Sequence, residues 1–167
     1  MAATKGRTST AGRTATLQVG DAAPEIELKT HAGADWKLSA FRGKKNVVLA
    51  FYPFAFSPTC TSQIPGLEDH LDRFTDRETE VAALSVDHRY ANAAWAESLG
   101  GIRFPLLSDF YPHGAVAQRY GILRKEGMAE RAVFIIDKSG TIRYIDVHKI
   151  NEAPDEEQIL DELRNIS

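Results

Sequence analysis

The single cysteine of the chain, Cys60, stands among residue types that favour nucleophilic chemistry. Residues 46–52 form a nearly unbroken apolar run, and Cys60 follows that run after a turn that contains two prolines. We place it in the first turn of a helix that begins where this buried strand ends, at the sheet edge where ligands bind. Unpaired backbone N–H groups and the positive end of the helix dipole favour a thiolate, the reactive form, over a thiol there. We therefore predict that the sulfur is ionised and reachable by a substrate.

An inert core residue is the alternative interpretation of a lone cysteine, because free cysteines are among the most buried residues in proteins. Hydroxyl side chains at Ser57, Thr59 and Thr61 surround Cys60, and such a setting is not an apolar pocket. The position at a helix start therefore favours a reactive cysteine over a buried structural one.

Composition and charge indicate one globular domain whose partners are neither nucleic acids nor membranes. Hydrophobic residues make up 43% of the 167 positions, and no apolar run approaches the ~18 residues that span a membrane. The net charge of −3 conceals a basic start, since residues 1–20 carry Lys5, Arg7 and Arg13 and no acid. The remaining body is acidic and has no basic stripe, which argues against nucleic-acid binding.

The cysteine and histidine content restricts the chemistry further. One cysteine rules out an intramolecular disulfide and any CxxC motif, so a dithiol oxidoreductase is excluded. A lone thiol fits a reducing compartment, and we expect the protein in the cytoplasm. The five histidines show no spacing typical of metal ligands, so we expect no metal site and no cofactor.

We predict a flexible N-terminal extension over residues 1–17 and a folded domain over residues 18–167. The extension consists of small, hydroxyl-bearing and basic residues with almost no large apolar side chain, so burial cannot offset its ordering entropy. Its lack of acids and its Thr and Arg content are also typical of an organellar transit peptide, although a clear apolar helical face is missing.

Patterns of period 2 and period 3.6 alternate from Ala22 onward and predict an α/β domain. The predicted strands are 26–28, 36–38, 46–52, 81–86, 104–107, 132–136 and 141–147, and the predicted helices are 64–74, 91–99, 114–120 and one that starts at Pro154. The order β-β-β-α-β-α-β-α-β-β-α predicts a mixed central sheet flanked by helices, for which a thioredoxin-like fold is the natural assignment.

Four segments resemble a known family. Residues 53–60 (PFAFSPTC) are similar to the peroxiredoxin active-site pattern PxxxTxxC, with serine in place of threonine. Residues 131–137 (RAVFIID) resemble the strand of that family that opens with its active-site arginine, and residues 19–24 (VGDAAP) resemble its usual start. Residues 104–114 (FPLLSDFYPHG) resemble the alkyl hydroperoxide reductase E type. On these motifs the chain is identified as a member of the one-cysteine peroxiredoxins.

The resemblance implies a four-part catalytic site for a thiol-dependent peroxidase. Cys60 attacks one peroxide oxygen and becomes a sulfenic acid, while the Ser57 hydroxyl hydrogen-bonds the peroxide. Arg131 stabilises the thiolate and the charge that moves across the O–O bond. Pro53 shields the nucleophile from water. Gln63 occupies a position often held by glutamate, so it can accept a hydrogen bond from the arginine but supplies no charge.

The resemblance also bears on partners. Without a second cysteine, the sulfenic acid needs an external thiol: mycothiol with a mycoredoxin, thioredoxin, or a glutathione-type thiol. Hydrogen peroxide, organic hydroperoxides and peroxynitrite all stay open as substrates. A homodimer is expected, and we expect Phe54, Phe56, Phe110 and Tyr111 to line its interface or the pocket rim.

Two other functions remain open from the residues alone. In a non-enzymatic redox sensor, oxidation of Cys60 would signal to a partner and turnover would stop after one stoichiometric oxidation. In a structural adaptor of thioredoxin fold, Cys60 would be inert and would be alkylated no faster than free cysteine.

Overall fold

The computed structural model describes residues 12–166. In chain order, the elements within these residues are β1 (Glu27–Lys29), β2 (Asp35–Lys37), a short 3-10 helix (Leu38–Phe41), β3 (Asn46–Phe51), α1 (Pro58–Asp69), α2 (Leu71–Thr75), β4 (Thr79–Ser85), α3 (Arg89–Ser98), β5 (Leu106–Ser108), α4 (Ala115–Arg119), β6 (Arg131–Ile136), β7 (Ile142–His148) and α5 (Glu156–Arg164). Apart from the short 3-10 helix and a divided first helix, this is the predicted order of elements.

Five of the strands form a mixed sheet in the order β5-β4-β3-β6-β7, and β1 and β2 form a separate antiparallel pair. The pairs β3–β4 and β4–β5 are parallel, whereas β3–β6 and β6–β7 are antiparallel. Every residue of β3 and β6 is buried because layers of side chains cover both faces of the sheet. The mixed central sheet flanked by helices is therefore present as predicted.

The register of β3 determines which residues meet at one edge of the sheet. Phe51, the last residue of β3, pairs with Leu84 near the end of β4 and with Ala132 near the start of β6. The loops that follow β3 and β4 therefore lie at the same edge as Arg131, the first residue of β6. This edge holds the candidate site.

The two faces of the sheet contribute to two separate hydrophobic clusters, because successive residues of a strand point to opposite faces. Val47, Leu49 and Phe51 pack in the cluster that includes residues of α4. Val48 and Ala50 pack in the cluster that includes residues of α1, α2, α3 and α5, and Cys60 belongs to this second cluster.

Several predicted helix boundaries differ from the observed ones, and two of the differences have a clear physical cause. The helix predicted over 64–74 is two helices, because His70 between them has φ −101° and ψ 4°, outside helical geometry. The last helix starts at Glu156 rather than at Pro154. Its N-cap is Asp155, whose Oδ1 accepts a hydrogen bond from the backbone N–H of Glu157 at 3.0 Å. That side-chain cap sets the start of the helix.

The described part of the N-terminal segment is hydrogen-bonded to the body of the protein. The Gly12 N–H donates to the Ile145 carbonyl and the Gly20 N–H to the Ile142 carbonyl, both at 2.8 Å, along the outer edge of β7. The Thr14 hydroxyl donates to the Tyr120 carbonyl at 2.8 Å. Residues 1–11 of the predicted flexible extension lie outside the described residues, and its boundary at residue 17 stays a prediction. Within residues 12–166, no helix has the length and apolar character needed to cross a membrane.

Candidate active site

The thiol of Cys60 and the guanidinium of Arg131 are in direct contact at the carboxyl edge of the sheet. Arg131 Nη1 lies 3.2 Å from Cys60 Sγ, and both residues are buried, with 0% of Cys60 and 1% of Arg131 exposed. Cys60 is the third residue of α1 and Arg131 is the first residue of β6. An arginine side chain keeps its charge in proteins, so the sulfur faces a fixed positive charge in a place without bulk water.

Further hydrogen bonds hold the guanidinium in place. Arg131 Nε donates to the Ile150 carbonyl at 2.8 Å, and Nη1 donates to Gln63 Oε1 at 2.5 Å. Gln63 lies three positions after Cys60 on α1, so both side chains face the same strand. The planar guanidinium therefore has one orientation, with Nη1 between the sulfur and the amide oxygen.

Ser57 lies at the N-cap of α1, but its side chain does not cap the helix. Its Oγ is buried and has no hydrogen-bond partner among residues 12–166. Buried polar atoms are nearly always hydrogen-bonded, so an unpaired hydroxyl three positions before Cys60 indicates a place for a polar ligand. A helix-capping role does not explain this serine.

The loop between β3 and α1, residues 52–57, has a constrained backbone. Pro53 is buried in it, and Phe56 has φ 70°, a left-handed conformation that bulky residues rarely adopt. The Ala55 N–H donates to Asp87 Oδ2 at 2.8 Å, and the Ser85 hydroxyl donates to the same oxygen at 2.7 Å. Asp87 belongs to no motif that we recognised in the sequence. Its position two residues after the buried parallel strand β4 could have marked it as a site residue, since the carboxyl ends of such strands meet at the ligand-binding edge.

The side of the site toward α3 is formed by aromatic rings and one amide. Tyr52 and Trp95 are buried, and their ring centroids are 5.2 Å apart. Burial raises the pKa of Tyr52 well above its usual range, so the hydroxyl stays protonated and donates to Asn92 Oδ1 at 2.7 Å. The prediction that the sulfur is reachable is wrong for this conformation, because no part of Cys60 is exposed to solvent. Cys60 packs in the same hydrophobic cluster as these two rings.

Exposed aromatic side chains surround this edge of the sheet. We call them the aromatic rim; its members follow the ends of β3, β4 and β5 and are Phe54, Phe56, Tyr90, Phe110 and Tyr111. Two of them are joined through His88, whose ring stacks on Tyr90 at 5.0 Å and meets Phe110 edge-on at 4.9 Å. Phe56 is 6.3 Å from Trp95. Phe56 thus connects the rim to the buried ring of Trp95.

A sheet of this topology with a lone cysteine at a helix start, held against a buried guanidinium, defines a thiol-based redox protein of thioredoxin-like fold. Comparison with known proteins agrees. The AhpC/TSA family matches residues 19–145. Alkyl hydroperoxide reductase E of Mycobacterium tuberculosis (strain ATCC 25618 / H37Rv) is 39% identical over 141 residues, which cover 84% of this chain and 92% of that protein.

Relatives with two cysteines are also similar. A chloroplastic 2-cysteine peroxiredoxin of Chattonella marina var. antiqua is 31% identical over 159 residues, which cover 90% of this chain and 80% of that protein. The crystal structure of the reduced 2-Cys peroxiredoxin of Plasmodium vivax superposes with a TM-score of 0.82 at 30% identity and covers 89% of this chain and 81% of that one.

The chain therefore belongs to the AhpC/TSA family and is a peroxiredoxin, a peroxidase that depends on a thiol reductant. The predicted family and the predicted thioredoxin-like fold are confirmed. The same comparisons favour a peroxidase over a redox sensor.

Proposed function

We propose that Cys60 is the nucleophile of this peroxidase. The thiolate attacks one oxygen of the peroxide, a sulfur–oxygen bond forms and the O–O bond breaks. The other oxygen takes up a proton and leaves as water or an alcohol. The sulfur has given up two electrons, so Cys60 is now a sulfenic acid. The contact of 3.2 Å between Cys60 Sγ and Arg131 Nη1 carries this proposal, because it holds a positive charge where the negative charge moves.

Each of the other site residues has a proposed role that fits its position. Arg131 stabilises the thiolate and the charge developing on the peroxide, while the unpaired Ser57 hydroxyl hydrogen-bonds the peroxide. Gln63 orients the guanidinium through its Oε1 atom. Pro53, buried in the loop before α1, shields the sulfur from water.

The reductant in this proposal is an external thiol, since the chain holds one cysteine. That thiol attacks the sulfenic sulfur and water leaves, which gives a mixed disulfide; a second thiol then releases Cys60 as a thiolate. Mycothiol with a mycoredoxin, thioredoxin and a glutathione-type thiol are the candidate donors. The similarity to the mycobacterial protein makes mycothiol and thioredoxin the first donors to test.

We also propose a homodimer that buries the aromatic rim, because five exposed aromatic side chains at one edge form a surface typical of an interface. Residues 18–167 would form the peroxiredoxin domain, with residues 1–17 as an extension. A single free thiol supports a reducing compartment such as the cytoplasm.

Mass spectrometry of Cys60 after one equivalent of peroxide, with and without each candidate thiol, tests the proposal. We expect a gain of one oxygen on Cys60, its loss on addition of the correct thiol, and sustained peroxide consumption in the steady state. The Cys60→Ser variant should fold and show no consumption. A single stoichiometric oxidation without turnover would instead indicate a redox sensor, and peroxide consumption by Cys60→Ser would exclude this mechanism.

A further inference from the structure

One buried atom beside the arginine has no hydrogen-bond partner. Gln63 is 1% exposed and directs Oε1 to Arg131 Nη1 at 2.5 Å. Its Nε2, which carries two hydrogens, has no acceptor among residues 12–166 in this conformation. Because buried donors are nearly always paired, a free amide nitrogen here indicates an acceptor that comes within reach.

Among the side chains that line the cavity beside Gln63, the carboxylate of Glu156 is such an acceptor. Gln63 lines a small cavity between α1, the sheet and the start of α5, and the other side chains around it are apolar except for that of Glu156: Ala50, Leu67, Val133, Pro154 and Ile159. The cavity has no room for a water molecule, so water does not bridge the two groups within it. Glu156 is therefore the one side chain lining this cavity that can pair with the amide.

The carboxylate of Glu156 already lies against α1, one helical turn from Gln63. A Cβ atom placed on Gly66 would be 2.5 Å from Glu156 Oε2, so the missing side chain at Gly66 makes room for the carboxylate. Gly66 and Gln63 are three positions apart and thus share one face of the helix. Both side chains line the same cavity, so the Glu156 carboxylate and the Gln63 amide face a shared space.

We propose that Glu156 is a positioning residue that accepts a hydrogen bond from Gln63 Nε2 and thereby holds Gln63 Oε1 on Arg131. An ionised acceptor polarises the amide, and the polarised Oε1 binds the guanidinium more strongly, since linked hydrogen bonds reinforce one another. The chain Glu156–Gln63–Arg131 ends at Cys60. Glu156, at the start of α5, thus supplies the negative charge that Gln63 lacks. Its effect on Cys60 oxidation rests on the proposed function.

The charge state of Glu156 makes the arrangement sensitive to pH. Burial raises the pKa of Glu156; Asp155 and Asp69 also raise it, while His70 at the end of α1 opposes them. As pH falls through this raised pKa, the carboxylate takes up a proton and loses its charge. The hold on Gln63 then weakens, and it strengthens again as pH rises.

Nuclear magnetic resonance of the side-chain amides tests the contact without any activity. The chain has four glutamines, so a sample labelled with ¹⁵N-glutamine gives few signals, and the Gln63→Met variant assigns the one of interest. We expect the Gln63 amide signal to shift with pH, with a midpoint above that of an ordinary glutamate, and to lose this dependence in Glu156→Gln. A Gln63 signal that is unaffected by pH and by Glu156→Gln would overturn the proposal.

The ratio of Cys60 oxidation rates of wild type and Glu156→Gln tests the link to Arg131. We expect wild type to be about three- to tenfold faster where Glu156 is ionised, which is about 0.6 to 1.4 kcal/mol. The ratio should approach one at acidic pH, because both proteins then carry an uncharged group at position 156. A ratio that is constant over pH would overturn the positioning role.

Three further variants sharpen the test. The exposed Glu27, paired with Lys37 at 2.8 Å, serves as the control, and Glu27→Gln should change neither readout. Gly66→Ala should displace the Glu156 carboxylate and reproduce the slower rate although the charge remains. Gln63→Glu combined with Glu156→Gln returns a charge next to Arg131 and should restore the rate. If wild-type Cys60 is not oxidised at all, the proposed function fails, whereas the amide signal still decides whether the contact exists.

Discussion

Arg131 and Cys60 are 71 positions apart in the chain, and Arg131 Nη1 lies 3.2 Å from Cys60 Sγ. They meet because β6 runs antiparallel beside β3, which brings the first residue of β6 to the edge from which the chain enters α1. The Ile150 carbonyl, after β7, binds Nε of the same guanidinium at 2.8 Å. Three separate parts of the chain, namely α1, the start of β6 and the segment after β7, therefore define the position of one charge.

Replacement of Arg131 separates charge from geometry. Arg131→Ala should slow Cys60 oxidation more than tenfold, about 1.4 kcal/mol of barrier or more. Arg131→Lys should lie between Ala and wild type, because one ammonium group keeps the charge but cannot hold the sulfur, the amide and the carbonyl together. Stopped-flow oxidation measures this, with Arg143→Ala as control, since Arg143 is exposed and pairs with Asp137 at 3.2 Å. A wild-type rate in Arg131→Ala would remove the guanidinium from the mechanism.

Ser57→Ala should lower activity without lowering stability. A serine that caps a helix costs about 1 kcal/mol when replaced by alanine, but Ser57 makes no capping bond and its hydroxyl is buried unpaired. The unfolding free energy should stay the same or rise, while Cys60 oxidation slows about tenfold or more because the peroxide loses a hydrogen-bond partner. Urea unfolding and stopped-flow kinetics give the two values, with the exposed Ser62→Ala as control. Lost stability together with a wild-type rate would instead indicate a cap.

Asp87 should control the rate through the loop before α1. Asp87→Ala removes the acceptor of the Ala55 N–H and the Ser85 hydroxyl, which we expect to cost about 1–3 kcal/mol of stability. The left-handed conformation of Phe56 is then less firmly held, so oxidation should slow as well.

The conservative variant at this position provides the internal control. Asp87→Asn keeps an acceptor oxygen and should recover part of both losses. The exposed Asp35, which pairs with Lys29 at 2.6 Å, is the matched residue whose replacement by alanine should change neither value. Equal rates for wild type and Asp87→Ala would show that the loop does not need this hydrogen bond.

Stability should fall as pH drops below about 6.5, in part because of His31. Burial lowers the pKa of His31 from its usual 6.5, and its Nδ1 accepts a hydrogen bond from the Leu106 N–H at 3.1 Å. Between the lowered pKa and 6.5 the unfolded chain binds more protons than the folded one, so the folded state loses stability as pH falls. Burial also lowers the pKa of His148, so this residue adds to the same loss of stability.

Urea unfolding at pH 7.5 and 5.5 measures this effect. In His31→Asn the side-chain oxygen still accepts from Leu106 but does not titrate in this range, so the variant should lose less stability than wild type over that interval. The other titrating groups are present in both proteins, so their contributions to the stability change cancel in the difference between wild type and His31→Asn. An equal loss in both proteins would exclude His31 as a source of the dependence.

Much of the site follows from periodic patterns. The residue types predict a buried strand with a helix start after it, which places Cys60, whereas the resemblance to peroxiredoxins is what pointed to Arg131 and Gln63 beside it. The parts that could not be predicted depend on tertiary packing. The acceptor at Ile150 is a backbone carbonyl, so the residue type at that position does not reveal it. The cavity lined by Gln63 and Glu156 forms only where α5 packs on α1.

The wrong boundaries and the burial of Cys60 have similar physical causes. The apolar spacing from Ile64 to Phe74 continues through His70, so a backbone break there leaves the pattern intact. The complete burial of the sulfur depends on how closely α1 and α3 approach, with Trp95 Nε1 3.4 Å from Thr61 Oγ1. Helix approach at this scale is not encoded by periodicity.

The hydrogen bonds along the outer edge of β7 restrict how the protein can associate. An unpaired edge strand is an open template on which another chain can add a strand. Here Gly12, Gly20 and Asp21 already occupy backbone groups of Ile142 and Ile145. A second molecule cannot extend the sheet along this stretch unless the segment is first peeled away, so assembly is directed to other surfaces and strand-by-strand aggregation is opposed.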